Sequence, residues 1–276
     1  MRVVYSEAMV APAQGYSPSA AKPAAVMEAW RGHWPGLVLR EPVPVSRDDL
    51  ALAHDRAYVD GVLALRRPNG FGTYVREVAD SLLYTTGALL GAARWALAEG
   101  GAVAAPVSGF HHARWGSGGG YCTFNGLMVT ALVLQREQPG LRVGILDYDF
   151  HYGDGTDDIL DKLAPPDIVH VTAGERWHEP GQAQGFMDNI ASDLVALQDC
   201  DLVLYQAGAD PHVDDPLGGF LSTAQLAERD RRVFAGLQAA GIPTAWDLAG
   251  GYQQPLAKVI EIHVNTFRES LLHPAP

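Results

Sequence analysis

Short, nearly unbroken runs of Val, Ile, Leu and Ala punctuate the chain. Between them lie longer stretches whose apolar residues return every three or four positions. A run of the first kind, bounded by turn residues, fits a strand buried on both faces, and the second pattern fits an amphipathic helix. Strands are therefore predicted at Arg2–Tyr5, Ala102–Pro106, Arg142–Tyr148, Ile168–Thr172, Leu202–Ala207 and Thr244–Leu248. Helices are predicted at Ser81–Ala98, Asn125–Gln135, Asn189–Gln198 and Thr223–Ala240, the stripe of the last being read as packing. Their alternation predicts an α/β fold with a largely parallel, doubly wound, multi-stranded sheet and helices on both faces. No internal repeat, low-complexity tract or linker breaks the series, so residues 1–276 read as a single domain.

Polar residues gather where the predicted strands end. Ala102–Pro106 runs into Ser108-Gly109-Phe110-His111-His112, and Arg142–Leu146 into Asp147-Tyr148-Asp149-Phe150-His151. Leu202–Gln206 runs into Ala207-Gly208-Ala209-Asp210, and Thr244–Leu248 into Ala249-Gly250-Gly251-Tyr252. Ligand sites in open α/β sheets form outside the carboxyl ends of the strands, so one site assembled from four distant segments is expected.

Composition narrows the classes. With 276 residues, 47% of them hydrophobic and 19% charged, the chain can bury one substantial core. Thirty glycines and eighteen prolines then indicate turns and functional loops, since apolar runs recur throughout. A formal charge of −12 repels phosphate backbones, so no nucleic-acid partner is expected, and it suits a cationic substrate. Cys122 and Cys200 make no disulfide framework, which fits a reducing compartment. The start, MRVVYSEAMVAPAQGY, lacks the apolar core of a signal peptide, and no window reaches the roughly 18 apolar residues of a membrane span. A cytoplasmic location with no membrane partner is the expectation, and the oligomeric state is unknown at this level.

The segment Asp147-Tyr148-Asp149-Phe150-His151 puts polar side chains at every second position, on one side if the strand continues. Carboxylates and an imidazole are suitable ligands for zinc and related divalent ions. Asp210 would complete a set with Asp149 and His151 and leave a coordination position open for water, as catalytic sites do. The plainer alternatives are a solvated strand end for the first segment and a loop or capping acid for Asp210. His111 and His112, consecutive and followed by the glycine-rich stretch Gly116 to Gly120, titrate near neutrality and suit proton transfer. Asp147 and Asp154 are candidate carboxylate partners for them. Tyr252, after Gly250 and Gly251, offers a hydroxyl donor able to polarise a carbonyl; a tyrosine merely packed at a turn is the alternative.

Taken together, Gly109 through Ala113, Gly119 through Asn125, Asp147 through Gly155, Gly208-Ala209-Asp210 and Gly250-Gly251-Tyr252 resemble the zinc-dependent histone deacetylase superfamily, of arginase-deacetylase fold. The look is closest to the class IV branch and its bacterial relatives, through Phe110, Leu217-Gly218-Gly219 and Gly250–Gln253. The resemblance implies that Asp149, His151 and Asp210 ligate Zn2+, with iron as the other candidate metal. It implies His111 paired with Asp147 and His112 with Asp154, His112 being the main general base and acid. It assigns Tyr252 to the oxyanion, and Gly120, Tyr121, Leu217, Gly250 and Gly251 to the substrate pocket. A structural K+ is implied near Asp147, Asp149, His151 and Thr172.

The implied reaction is removal of an acyl group, acetyl or longer, from an acylated lysine or a small acylated amine. Three alternatives differ in chemistry: a deacetylase of small acetylated amines or polyamines, a two-manganese ureohydrolase of the same fold, and an inactive acyl-lysine binding module. Some family positions depart from the pattern. A rim aspartate that grips peptide backbones aligns with Arg56, after His54-Asp55, and the positions of two common histidines hold Gly174 and Tyr152. A glutamate gatekeeper of polyamine-specific members would fall near Leu217. His33, His54, His170, His178, His212, His263 and His273 are expected to be structural or surface residues, and Cys122 a packed thiol.

Overall fold

In chain order, the computed structural model, which describes residues 2–272, runs β1 (Arg2–Val4), α1 (Lys22–His33), β2 (Val38–Arg40), α2 (Arg47–Ala53), α3 (Arg56–Leu63), α4 (Arg76–Glu99), β3 (Ala102–Ala104), α5 (Gly126–Glu137) and β4 (Val143–Asp147). It continues α6 (Asp154–Leu163), β5 (Ile168–Thr172), α7 (Ala183–Ala196), β6 (Leu202–Gln206), α8 (Thr223–Ala239), β7 (Thr244–Asp247) and α9 (Ala257–Leu271). The seven strands form one sheet in the order β2-β1-β3-β7-β6-β4-β5, and every neighbouring pair is parallel. The architecture matches the arginase-deacetylase fold, with the sheet parallel throughout rather than largely so.

Each predicted strand is present, β5 with the predicted limits and the others shorter by one or two residues. The central strands β4, β6 and β7 are buried along their whole length. That is why their sequences are continuous apolar runs instead of alternating ones. One group of helices, α1, α7, α8 and α9, packs together, and a second, α2 to α6, packs with α4 against β1, β3, β6 and β7. Together they cover the sheet. No helix among the described residues is long and apolar enough to cross a membrane.

Several elements are too short for a periodic pattern to stand out. The edge strand β2 is three residues long and exposed. Helices α2 and α3 are set by caps, where Ser46 accepts from the amide of Asp49 and Asp55 from that of Tyr58. Asp55 is spent on capping, and Arg56 pairs with Asp48 and Asp60 at the start of α3.

His54 is a structural residue. Its Nδ1–H donates to the carbonyl of Arg114 at 2.9 Å, and its Nε2 accepts the amide of Asn125, the N-cap of α5, at 2.8 Å. The bond from Asn125 requires Nε2 to be unprotonated, and burial pushes the ring's pKa down to about 4. The unfolded chain therefore takes up a proton between pH 6.5 and about 4 that the native state refuses, so stability is lost as pH falls through that window. The shift corresponds to roughly 3 kcal/mol. His54→Gln keeps a donor and an acceptor but cannot titrate. Its urea midpoint should change less between pH 6.5 and 4 than the wild-type midpoint does. Parallel slopes would clear His54 of responsibility.

Candidate active site

All strands point one way, so their carboxyl ends share one edge of the sheet, and there the four predicted segments meet. The local geometry differs from the sequence expectation in one respect. Strand β4 stops at Asp147, and residues 148 to 153 curl away from the sheet. The Asp147 Oδ1 accepts the amide of Asp149 at 3.1 Å, and the Asp149 Oδ1 accepts the amide of His151 at 2.9 Å. Two successive turns of this kind, each closed by an aspartate on the amide two residues later, set the spacing of the polar side chains. A continuing pleat does not.

The curl brings three donor atoms together. His151 Nδ1 lies 3.1 Å from Asp149 Oδ1 and 3.0 Å from Asp210 Oδ2. Among the described residues, Asp149, His151 and Asp210 are the group of His, Cys, Asp and Glu side chains able to hold a metal, with ligand atoms within 4.8 Å of one another. Both carboxylates are buried. Burial, and next the charge of Asp149, push Asp210 up to about 7, because two adjacent carboxylates out of water cannot both ionise without a cation between them. A divalent ion fits this donor set of two oxygens and one nitrogen. Further bonds hold the ligands: Asp149 Oδ2 accepts the amide of Gly250 at 2.8 Å, and Asp210 Oδ1 that of Phe150 at 3.3 Å. A Cβ on Gly250 would lie 2.3 Å from Asp210 Oδ2, so this close approach requires glycine.

The twin histidines stand beside the group with ring centroids 4.1 Å apart, and His112 is 5.8 Å from the ring of His151. His111 Nδ1 bonds Asp147 Oδ2 at 2.7 Å, and His112 Nδ1 bonds Asp154 Oδ1 at 2.6 Å. The two environments drive them apart. Burial alone would keep His111 neutral, but Asp147 and Asp149 outweigh it and push its pKa up to about 9. Burial and the charge on His111 hold His112 below the ordinary histidine value. Asp154 divides its attention, since its other oxygen takes Arg114 at 2.5 Å. At neutral pH the pair is thus one cation and one base.

Tyr252 is buried, lies 5.7 Å from the ring of Tyr121, and shares a cavity with His111, His112, Asp149 and His151. Burial, then Asp210 and Asp149, raise its pKa well above 10, so it stays a donor. Gly120 lines the same cavity with a φ of +53°, and a Cβ there would meet the His112 ring at 2.4 Å. Of the predicted pocket residues, Gly120, Tyr121 and Gly250 line the cavity. Gly251 faces Val259 and Ala209 instead, and Leu217 sits partly exposed on the 211–222 loop, its amide held by Asp215. Burial pushes the Cys122 thiol up, so it is no thiolate. His33, His54, His170, His178, His212 and His263 stand outside the metal group, and His273 lies outside the described residues.

Sequence reasoning missed the residues that hold the site from beneath. Gln206 bonds Asp147 Oδ1 at 2.9 Å and accepts the amide of Phe110 at 3.1 Å, tying the twin-histidine segment to β4. Asp247 accepts the amide of Ala249, and the wholly buried Lys22 donates to the carbonyls of Ala249 and Gly250 at 2.7 and 3.2 Å. Asp215 accepts the amide of Tyr252 at 2.8 Å, and Ser19 lines the cavity with it. Gln206 and Asp247 end apolar strands, a readable signal. Lys22 gives none, because nothing in its own segment indicates that it is buried.

Residues 19–172 match the family described as "Histone deacetylase domain". An uncharacterized protein of Picosynechococcus is 31% identical over 259 residues, covering 85% of this chain and 83% of that one. Among solved structures, the chain is similar to the HDA15 HD domain, with a TM-score of 0.80 and 18% identity over all of this chain and 90% of the other. It is also similar to acetylpolyamine aminohydrolase from Burkholderia pseudomallei, with a TM-score of 0.74 and 18% identity, covering 98% and 94% of the two chains.

Proposed function

Since the chain belongs to the histone deacetylase family, we propose that it is a zinc-dependent amide hydrolase removing an acetyl or longer acyl group from an acylated lysine or small acylated amine. The observation that carries this reading is the convergence of Asp149, His151 and Asp210 beside two histidines of opposite protonation.

Zinc bound by those three residues supplies a Lewis acid that polarises the amide carbonyl and acidifies a water. His112, neutral and with Nδ1 committed to Asp154, takes the attacking water's proton on Nε2. His111, bonded through Nδ1 to Asp147, stands beside the reacting carbonyl as the electrostatic partner of His112. Tyr252 donates its hydroxyl proton in a hydrogen bond to the oxyanion as charge develops there. A histidine then protonates the amine, which cannot leave as an anion. The structural K+ near Asp147, Asp149, His151 and Thr172 belongs to the same reading, as does a cytoplasmic location.

Ser19, Gly109 and Tyr121 line this cavity and also a neighbouring chamber walled by Met9, Pro23, Phe71, Leu82, Phe110 and Phe124. The apolar side chains of that neighbouring chamber are the feature that motivates testing acyl groups beyond acetyl. The test is kcat/KM across acetyl, medium and long acyl-lysines and acetylated polyamines, with metal content measured alongside. One zinc per chain and turnover of at least one acyl-amine series are expected. Two manganese ions per chain would favour the ureohydrolase, and no turnover of any amide at full zinc loading would favour the binding module.

A further inference from the structure

Arg229 lies on the buried stripe of α8, among Leu226, Val233, Phe234 and Leu237, and is itself wholly buried. Taking a guanidinium out of water carries a large desolvation cost, and an apolar side chain on this stripe would avoid it. The directions of its bonds offer a reason for the charge. Nε donates to Asp230 at 2.8 Å, while Nη1 donates to the carbonyls of Tyr148 at 3.2 Å and Gly208 at 2.8 Å. Tyr148 precedes Asp149 and His151, and Gly208 precedes Asp210 by two residues.

The register between β4 and β6 ends with Asp147 opposite Gln206. Beyond it the two chains curl, and the carbonyls of Tyr148 and Gly208 find their donor in one guanidinium nitrogen. The arginine therefore continues the cross-link between the two segments past the point where the backbone ladder stops. It is anchored in turn, since Asp230 also accepts from Tyr205 of β6 at 2.5 Å and Thr266 of α9 at 2.6 Å.

We propose that Arg229 is a positioning residue for the metal site, holding the segment that carries Asp149 and His151 at a set distance from the segment that carries Asp210. It lies outside the cavity and acts through the two carbonyls. The inference rests on the metal-site reading given above.

The test is the affinity of the metal-stripped full chain for Zn2+, by competition with a chelator, with the unfolding midpoint of the metal-free protein measured in parallel. Arg229→Lys keeps the charge and the pair with Asp230 but replaces the planar fork by a point charge. It should weaken Zn2+ binding roughly 10- to 100-fold, the usual cost of losing a partner behind a metal ligand. Arg229→Met should weaken it at least as much; should that variant fail to fold, the lysine variant decides. Arg176→Met, which breaks a partly exposed pair with Asp193, should leave affinity at the wild-type value.

A purely structural arginine would lower the unfolding midpoint and leave the Zn2+ affinity of the folded protein unchanged. Wild-type affinity in Arg229→Lys therefore overturns the inference. Asp149→Asn separates the two levels. If it weakens Zn2+ binding and Arg229→Lys does not, only the Arg229 inference falls; if neither does, the metal-site reading falls with it.

Discussion

Tyr252→Phe should lower kcat by roughly 100- to 1,000-fold while the protein keeps its metal. The phenol is buried and its pKa stands well above 10, so it is a protonated donor throughout the range in which an amidase works. Phenylalanine retains the ring that lies 5.7 Å from that of Tyr121, and the main-chain bond from residue 252 to Asp215 does not involve the side chain of residue 252. What disappears is the hydrogen bond to the developing oxyanion, which corresponds to about 3–4 kcal/mol of transition-state stabilisation. Metal content is read by elemental analysis and kcat on the best acyl-lysine substrate. Full activity would remove Tyr252 from the oxyanion role. Loss of the metal together with activity would mean that the hydroxyl serves the structure instead.

His151→Ala should have the opposite signature, losing the metal itself. Its Nδ1 is the atom that meets both Asp149 and Asp210, and no other described histidine belongs to the group. Without it two buried carboxylates face each other alone, and Asp210, already pushed up to about 7, gains further reason to hold a proton. Affinity should fall by more than the roughly 10- to 100-fold typical of an outer-shell partner, because a ligand is gone. One zinc per chain surviving dialysis against a chelator would disqualify His151 as a ligand. Comparison with Tyr252→Phe separates holding the metal from using it.

The readable and unreadable parts of this protein divide along physical lines. Strands β4, β6 and β7 were legible because burial on both faces leaves a continuous apolar run. Helix α8 was legible because its apolar stripe is regular, yet the same stripe hid Arg229 and Asp230, charged residues at packing positions. Helices α2 and α3 were not found, since their limits depend on Ser46 and Asp55 as caps more than on any periodicity. Leu217 and Gly251 were assigned to the pocket by the family resemblance. Adjacency along the chain does not determine which way a loop residue faces.

By itself, the sequence determined which residue types carry chemistry and that they end the strands of a parallel sheet. Parallel strands send all their carboxyl ends to one edge, so residues at those ends meet however far apart they are in the chain. Only the tertiary structure decided how they meet. It set the polar spacing from Asp147 to His151 by aspartate turns, made His111 a cation and His112 a base, and placed Lys22 and Arg229 beneath the site. The reason is that a charge acquires its protonation, and a buried donor its partner, from neighbours supplied by other elements, and no local stretch of sequence contains them.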